Sequence, residues 1–328
     1  MIDLLSYNKP KEVAEAFVSR SPTTDPVASV ESLLLGAPSR NQWWDVWDQF
    51  KTHKGALAGA AVFFLIVVGV VFGPFVWRVS PTYIDFMTMN AGPSWAHPLG
   101  TDQLGRDLLA RMMTGGRISI AVGLAAMVIS IFLGTLVGVL TGYFKSLDGP
   151  LMRLTELFLS LPVLPLLLIA VMLFRDAVAN VFGRDLGSFI LIVSIIGVMS
   201  WMGTARIVRG EVLAVKQREF VMASRSIGTP PHRIIFRHVL PNVMSPIIVS
   251  ATLGIADAII TESVLSFLGL GFPPDFPTWG RLLFDGIGYM QIYPQLVLWP
   301  GIAISLTVLS VAYIGDGLRD ALDPRLRR

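Results

Sequence analysis

The chain has 328 residues, of which 53% are hydrophobic and 15% charged, and its formal net charge is only +3. Soluble domains carry about 25% charged residues, so this composition excludes an ordinary globular protein and points to a membrane. The absence of cysteine excludes disulfide frameworks and thiolate metal sites.

Residues 1–40 are polar, with Pro and Ser scattered through them, and read as a flexible cytoplasmic tail. They lack the apolar core and cleavage site of a signal peptide. Residues 41–54, "NQWWDVWDQFKTHK", place Trp43, Val46, Trp47 and Phe50 on one helical face, which predicts a helix lying in the membrane interface. A bilayer core needs about 20 apolar residues per helical span. The first such run ends near residue 77, giving a first span over 55–78.

Residues 79–117 form an outer, periplasmic segment. Within it, Thr101 is a candidate helix N-cap, Leu104, Leu108 and Met112 recur at helical spacing, and Gly115-Gly116 are expected to stop that helix. Residues 118–320 hold the remaining spans, at about 118–144, 157–174, 186–205, within 243–270 and within 286–315. Pro162 and Pro165 are expected to kink the third span. Residues 321–328 form a second tail. With both tails inside, the inner segments carry 16 Lys and Arg beyond the distal N-terminus and the outer ones 7. The positive-inside rule therefore assigns both termini and the 206–242 loop to the cytoplasm.

That loop is unlike its surroundings. "RIVRGEVLAVKQREFVMASRSI" is helix-forming, with Phe220, Ala223, Ser224 and Ile227 along one face. Gly228 stands where a helix C-terminus favours positive φ, Thr229 is a candidate N-cap, and Pro230 is set at the next first helical position. A basic loop alone satisfies the positive-inside rule. A sharply bounded helical hairpin with small residues on its face is suited to docking into a groove of a cytoplasmic partner.

These residues resemble the cytoplasmic signature loop of ABC-importer permeases, whose pattern is Glu-Ala-Ala, three residues, Gly, nine residues, a hydrophobic residue, any residue, and Leu-Pro. Met222-Ala223-Ser224, Gly228 and Leu240-Pro241 stand at those positions, with Met222, Ser224 and His238 departing from the usual types. "LGTDQLGRDLLARMMTGGRIS", "ESVLSFLGLG" and "GDGLRDALDPR" are similar to the oligopeptide/dipeptide C-type permeases, and the likeness extends over about residues 45–328. The resemblance implies six transmembrane helices of the type I ABC-importer permease fold, an all-α membrane protein of the bacterial inner membrane. It implies a coupling helix at Glu219–Ser226, with Glu219, Phe220, Met222, Ala223, Ser224, Arg225, Gly228, Leu240 and Pro241 as the surface met by an ATPase. The partners it implies are two ATPase subunits holding ATP and Mg, a second homologous permease, a periplasmic or extracellular substrate-binding protein and the bilayer. No nucleic acid is expected. The cargo class is peptides or peptide-like solutes, with glutathione, opines, peptide antibiotics or metals as alternatives.

Two acids interrupt the fifth span. Asp257 is the deeper and is expected on the translocation path or at a subunit interface, while Glu262 is expected toward the outer end, paired with an Arg. Those acids are also what a proton-coupled carrier or an intramembrane enzyme would require. No Gly-x-x-x-x-Gly-Lys-Ser/Thr loop occurs, so the chain itself is not expected to bind ATP or to be an enzyme. His53, His97, His232 and His238 lie on separate segments and suggest no metal site.

Overall fold

The structure is a computed structural model and describes residues 42–322, so both tails lie outside the described residues except for the first residues of the second. The described residues are helical almost throughout. Six helices are long and apolar enough to span a membrane: α2 (Lys54–Val76), α3 (Leu108–Tyr143), α5 (Val163–Phe182), α6 (Arg184–Lys216), α10 (Met244–Phe267) and α12 (Gln295–Leu322). Their outward faces stay apolar, with Phe64, Leu65, Phe132 and Leu173 among the exposed side chains. Water would not tolerate such faces, and lipid does.

The bundle is built on α3 and α6. Gly134, Gly138 and Gly142 recur every fourth residue along α3. A Cβ on Gly134 would lie 2.6 Å from Thr204 Cβ and 2.8 Å from the Trp201 carbonyl. On Gly138 it would meet the Ala205 carbonyl at 2.7 Å, and on Gly142 the Val212 Cβ at 2.7 Å. Lipid gives no hydrophobic drive between helices, so a glycine stripe that lets two backbones touch is what gains dispersion contact there. Around this pair, Val122, Ala126, Leu167, Val171, Ile192, Ile196 and Leu265 join α3, α5, α6 and α10 in one buried cluster.

Several boundaries differ from the sequence expectation, each for a local reason. Thr101 caps no helix. Its hydroxyl accepts from Ala91 N at 2.9 Å and donates to the Thr88 carbonyl, pinning the segment between α2 and α3 to itself. Asp102 takes the N–H groups of Leu104 and Arg106, both at 2.9 Å, and Gly105 turns the chain at φ +73°, so 102–106 stay non-helical. Asp107 is the cap of α3, accepting from Ala110 N at 2.7 Å. Gly115-Gly116 do not stop α3. They lie against Thr278, Val70 and Trp279, where a Cβ on Gly116 would come within 2.5 Å of Val70.

The third span is not kinked but preceded by a break. Helix α4 (Lys145–Ser160) ends before Leu161, and α5 starts afresh at Val163 with Pro162 as its cap residue. Pro165 then falls in the first turn, where a missing N–H leaves no bond unmade. Helix α1 (Gln42–Thr52) forms as expected, but Val46 and Phe50 do not face lipid. They are buried with Ala56 and Ala321, while Trp44 and Trp47 stay exposed.

Replacing Gly134 by Leu is expected to cost about 1–3 kcal/mol or more, because backbone rather than a flexible side chain lies in the way. The thermal midpoint of the detergent-purified chain measures it. Gly210→Ala, on the same α3–α6 pair but with open space at its Cβ, is expected to leave that midpoint unchanged or raise it.

Candidate functional site

Helix α7 (Glu219–Ser226) follows α6 after a short turn, and Gly228 ends it at φ +79°, the left-handed conformation expected of it. The next start is one residue later than expected. Pro230 is the cap and Pro231 occupies the first turn of α8 (Pro231–Ile234), because a residue that precedes proline is driven out of the helical region. The chain continues through a π-helical turn at Ile235–Val239 and the short α9 (Leu240–Asn242) into α10.

One residue of α7, Val221, is buried, and it enters a cluster with Val139, Val208, Val212, Val215, Ile234, Val239, Val243 and Ile247. That cluster ties α7 to α3, α6 and α10. Phe220, Met222, Ala223, Arg225 and Gly228 are all exposed, and Ile227 is 82% exposed. Glu219 and Pro241 are exposed as well, whereas Leu240 is half-buried against the cluster. The helix therefore shows most of its predicted face to the surroundings while one valine fixes its base. Ser224 turns aside: its Oγ lies 3.3 Å from His238 Nε2, and the Phe220 ring lies 6.0 Å from the same imidazole. Two departures from the signature pattern thus touch each other across the hairpin.

Around the base, Lys216 Nζ donates to the Tyr143 carbonyl at 2.5 Å, and Lys216 and Arg225 lie 5.4 and 5.9 Å from the centre of the Tyr143 ring. Lys216 so caps the carbonyl end of α3, where a cation is favoured. Asp148 of α4 receives Arg209 Nε at 2.5 Å and Nη2 at 2.8 Å. These bonds from Arg209 hold the Asp148 carboxyl below the usual carboxylate range. Tyr143, Lys216, Val221 and the Asp148–Arg209 pair were not singled out from sequence. Only contact across distant segments gives them a role.

Above the opposite end of α3 lies a second polar assembly. Asp102 accepts from Arg106 Nε at 2.7 Å and from Arg111, and Arg111 reaches Asp285 of α11 (Trp279–Ile287) at 3.1 Å. Arg281 Nε closes on Asp285 at 2.9 Å. Asp107 also receives Trp77 Nε1 at 3.1 Å and lies 2.8 Å from His97 Nδ1. The segment between α2 and α3 is thereby clamped onto α3 and α11.

The two intramembrane acids separate completely. Glu262 is 0% exposed, and no Arg among the described residues pairs with it, contrary to expectation. It accepts from Ser119 Oγ at 3.1 Å and Ser266 Oγ at 2.7 Å. Thr278 Oγ1 donates onward to Ser266 Oγ at 3.4 Å, and Trp279 N to Ser119 Oγ at 3.2 Å. This acid joins α3, α10 and the start of α11 and has no exposed surface of its own. Asp257, five residues earlier and on another face, opens into a cavity of about 530 Å³. Its walls come from α3, α5, α6 and α10 and from the α4–α5 break, and include Ser130, Ser200, Thr204, Ser250 and Thr261. The break at Leu161–Pro162 contributes directly, since Leu161 and Val163 line the cavity.

Residues 130–328 match the family described as the binding-protein-dependent transport system inner membrane component, and residues 41–93 match the N-terminal transmembrane domain of oligopeptide transport permease C. The chain belongs to the oligopeptide/dipeptide permeases of ABC importers. It is 38% identical over 291 residues to the oligopeptide transport system permease protein OppC of Haemophilus influenzae, covering 88% of this chain and 90% of that one. It is 38% identical over 316 residues to the di/tripeptide transport system permease protein DppC of Pseudomonas aeruginosa, covering 94% and 97%. The glutathione transport system permease protein GsiD of Pectobacterium atrosepticum is 37% identical, covering 88% and 93%. This permease is thus a multi-pass inner-membrane transport subunit with the type I fold, as its sequence led us to expect.

Glu262→Leu is expected to lower the stability of the permease by about 1–3 kcal/mol for each hydroxyl left unpaired in the hydroxyl nest. Glu262→Gln keeps an acceptor and is expected to lose less. Asp257→Asn, which breaks no side-chain bond among the described residues, is expected to leave the thermal midpoint of the purified permease where it was.

Proposed function

We propose that this permease moves peptides or peptide-like solutes inward, driven by ATP hydrolysed in two partner ATPase subunits, one of which seats on α7. A second, homologous permease completes the passage, and a substrate-binding protein delivers the solute from outside. ATP and Mg belong to the partners, and this chain contributes no catalytic group. Both termini and α7 face the cytoplasm. The observation that carries the reading is the anchored, outward-facing α7: Val221 is sunk in the cluster that holds α3, α6 and α10 together, while Phe220, Met222, Ala223 and Arg225 are exposed. A force applied to α7 is delivered through Val221 and the Arg225–Tyr143 contact to the two helices whose glycine stripe forms the spine. With Met222 at the position where the pattern has an acidic residue, the docking is apolar and steric rather than an ion pair through that side chain.

The cavity beside Asp257 is the part of the passage this subunit provides. Three of its walls, α3, α6 and α10, are helices that α7 is tied to, so a shift of the docking helix changes the cavity's shape. The peptide class of cargo rests on the relatives named for oligopeptide, dipeptide and di/tripeptide transport. An intramembrane acid-pair enzyme finds no support, because Glu262 is locked among hydroxyls on a different face from Asp257.

Ala223 is exposed and in ordinary helical conformation, so Ala223→Trp adds bulk to the docking face without backbone strain. Membrane level and folding are expected to stay normal, while ATP-driven uptake by the assembled importer falls at least about tenfold, the effect of losing roughly 1.4 kcal/mol of docking. Uptake at the normal rate in that variant would remove the basis for docking on α7.

A further inference from the structure

A carboxylate inside a membrane-spanning helix needs a counter-charge, a hydrogen-bond nest, or water. Glu262 has its nest. Asp257 has none of its own: Thr261 Oγ1 is spent on the Asp257 backbone carbonyl at 2.7 Å, and no cation among the described residues pairs with the carboxylate. No Lys, Arg or His lines the cavity it opens into. The remaining polar wall is hydroxyl, from Ser130, Ser200, Thr204, Ser250 and Thr261, so Asp257 is the sole formal charge on that surface.

This pattern selects a ligand chemistry. A divalent cation takes several carboxylate or carbonyl oxygens, and no cluster of metal-ligating side chains occurs among the described residues. A primary ammonium carries one charge and three N–H donors, which one carboxylate and two hydroxyl oxygens satisfy. The cavity, about 530 Å³, is in the range of small-molecule sites. We propose that the Asp257 carboxylate is the counter-ion for the ammonium group of the solute in transit, with the surrounding Ser and Thr hydroxyls as its further acceptors. The proposal rests on the cavity being part of the passage. It makes Asp257 a residue that favours amino-terminated or otherwise cationic solutes over neutral and anionic ones, independently of the selection made by the binding protein.

The chain has no cysteine, so a single introduced thiol reports from one place whatever thiols the partner subunits carry. Leu253 lies one helical turn before Asp257 and also lines the cavity. In the full importer in membranes, Leu253→Cys is reacted with a cationic methanethiosulfonate, the ethyltrimethylammonium reagent, and with the anionic ethylsulfonate reagent, and the mass gain of this chain is followed. With Asp257 present, the cationic-to-anionic rate ratio is expected to exceed that of the Asp257→Asn background by about tenfold or more, since a charged cleft concentrates counter-ions. Asp257→Glu is expected to keep most of that ratio. Glycylglycine is expected to slow the cationic reagent, and N-acetylglycylglycine is not.

An unchanged ratio in Asp257→Asn overturns the proposal, because the carboxylate is then protonated or paired with a cation of the second permease. Equal protection by both peptides, or by neither, overturns it too. So does a thiol unreactive to both reagents here and at Ser250→Cys on the same wall, which would close the cavity to solutes. None of these outcomes depends on where the ATPase docks, so the reading of α7 stands or falls separately.

Discussion

The contact between α3 and α6 is the constraint on which the rest of the molecule depends. Between helices surrounded by lipid, burial of apolar area gains little, because the alternative solvent is as apolar as the side chains. Affinity must come from closeness. Gly134, Gly138 and Gly142 supply it by presenting no Cβ at three positions of α3, so that Trp201, Thr204, Ala205 and Val212 sit almost on the α3 backbone. The seam fixes α3 and α6 as one unit. The other spans then take their places against that unit.

Each end of α3 is used for something different. At one end its carbonyls meet Lys216, and the Tyr143 ring lies close to both Lys216 and Arg225 of α7. At the other, Asp107 caps the helix while Arg111 bridges Asp102 and Asp285. One long rigid element thereby joins α7 to the clamp over the opposite end. Rigid elements transmit displacement, whereas loops absorb it, and the largely exposed α7 is held by a valine in the same packed cluster.

The sequence misled wherever a residue had two uses. Gly115-Gly116 read as a stop because glycine often ends helices, but here the lack of a side chain serves packing against Val70 and Trp279. Pro162 and Pro165 read as a kink because a span was assumed to run through them, yet a proline at a helix start costs nothing, and the break they mark lines the cavity. Thr101 had the right chemistry for a cap and was preoccupied by Thr88 and Ala91. Ser224 and His238 each looked like an isolated departure from a pattern, and the hairpin brings them to 3.3 Å.

By itself the sequence determined the number of spans, the C-terminal end of α7 with its left-handed turn at Gly228, and the family. These follow from local or additive physics: an apolar run has to match a bilayer, a positive φ favours glycine, and a motif has fixed spacing. Tertiary structure alone decided the difference between two carboxylates five residues apart. On a helix that spacing turns them to different faces, and the neighbours of each face come from distant segments. Ser119 and the start of α11 enclose Glu262, while α3, α5 and α6 leave a cavity beside Asp257. No property of either residue in the linear chain carries that information, because the environment of a buried charge is made by elements that meet only when the fold is complete.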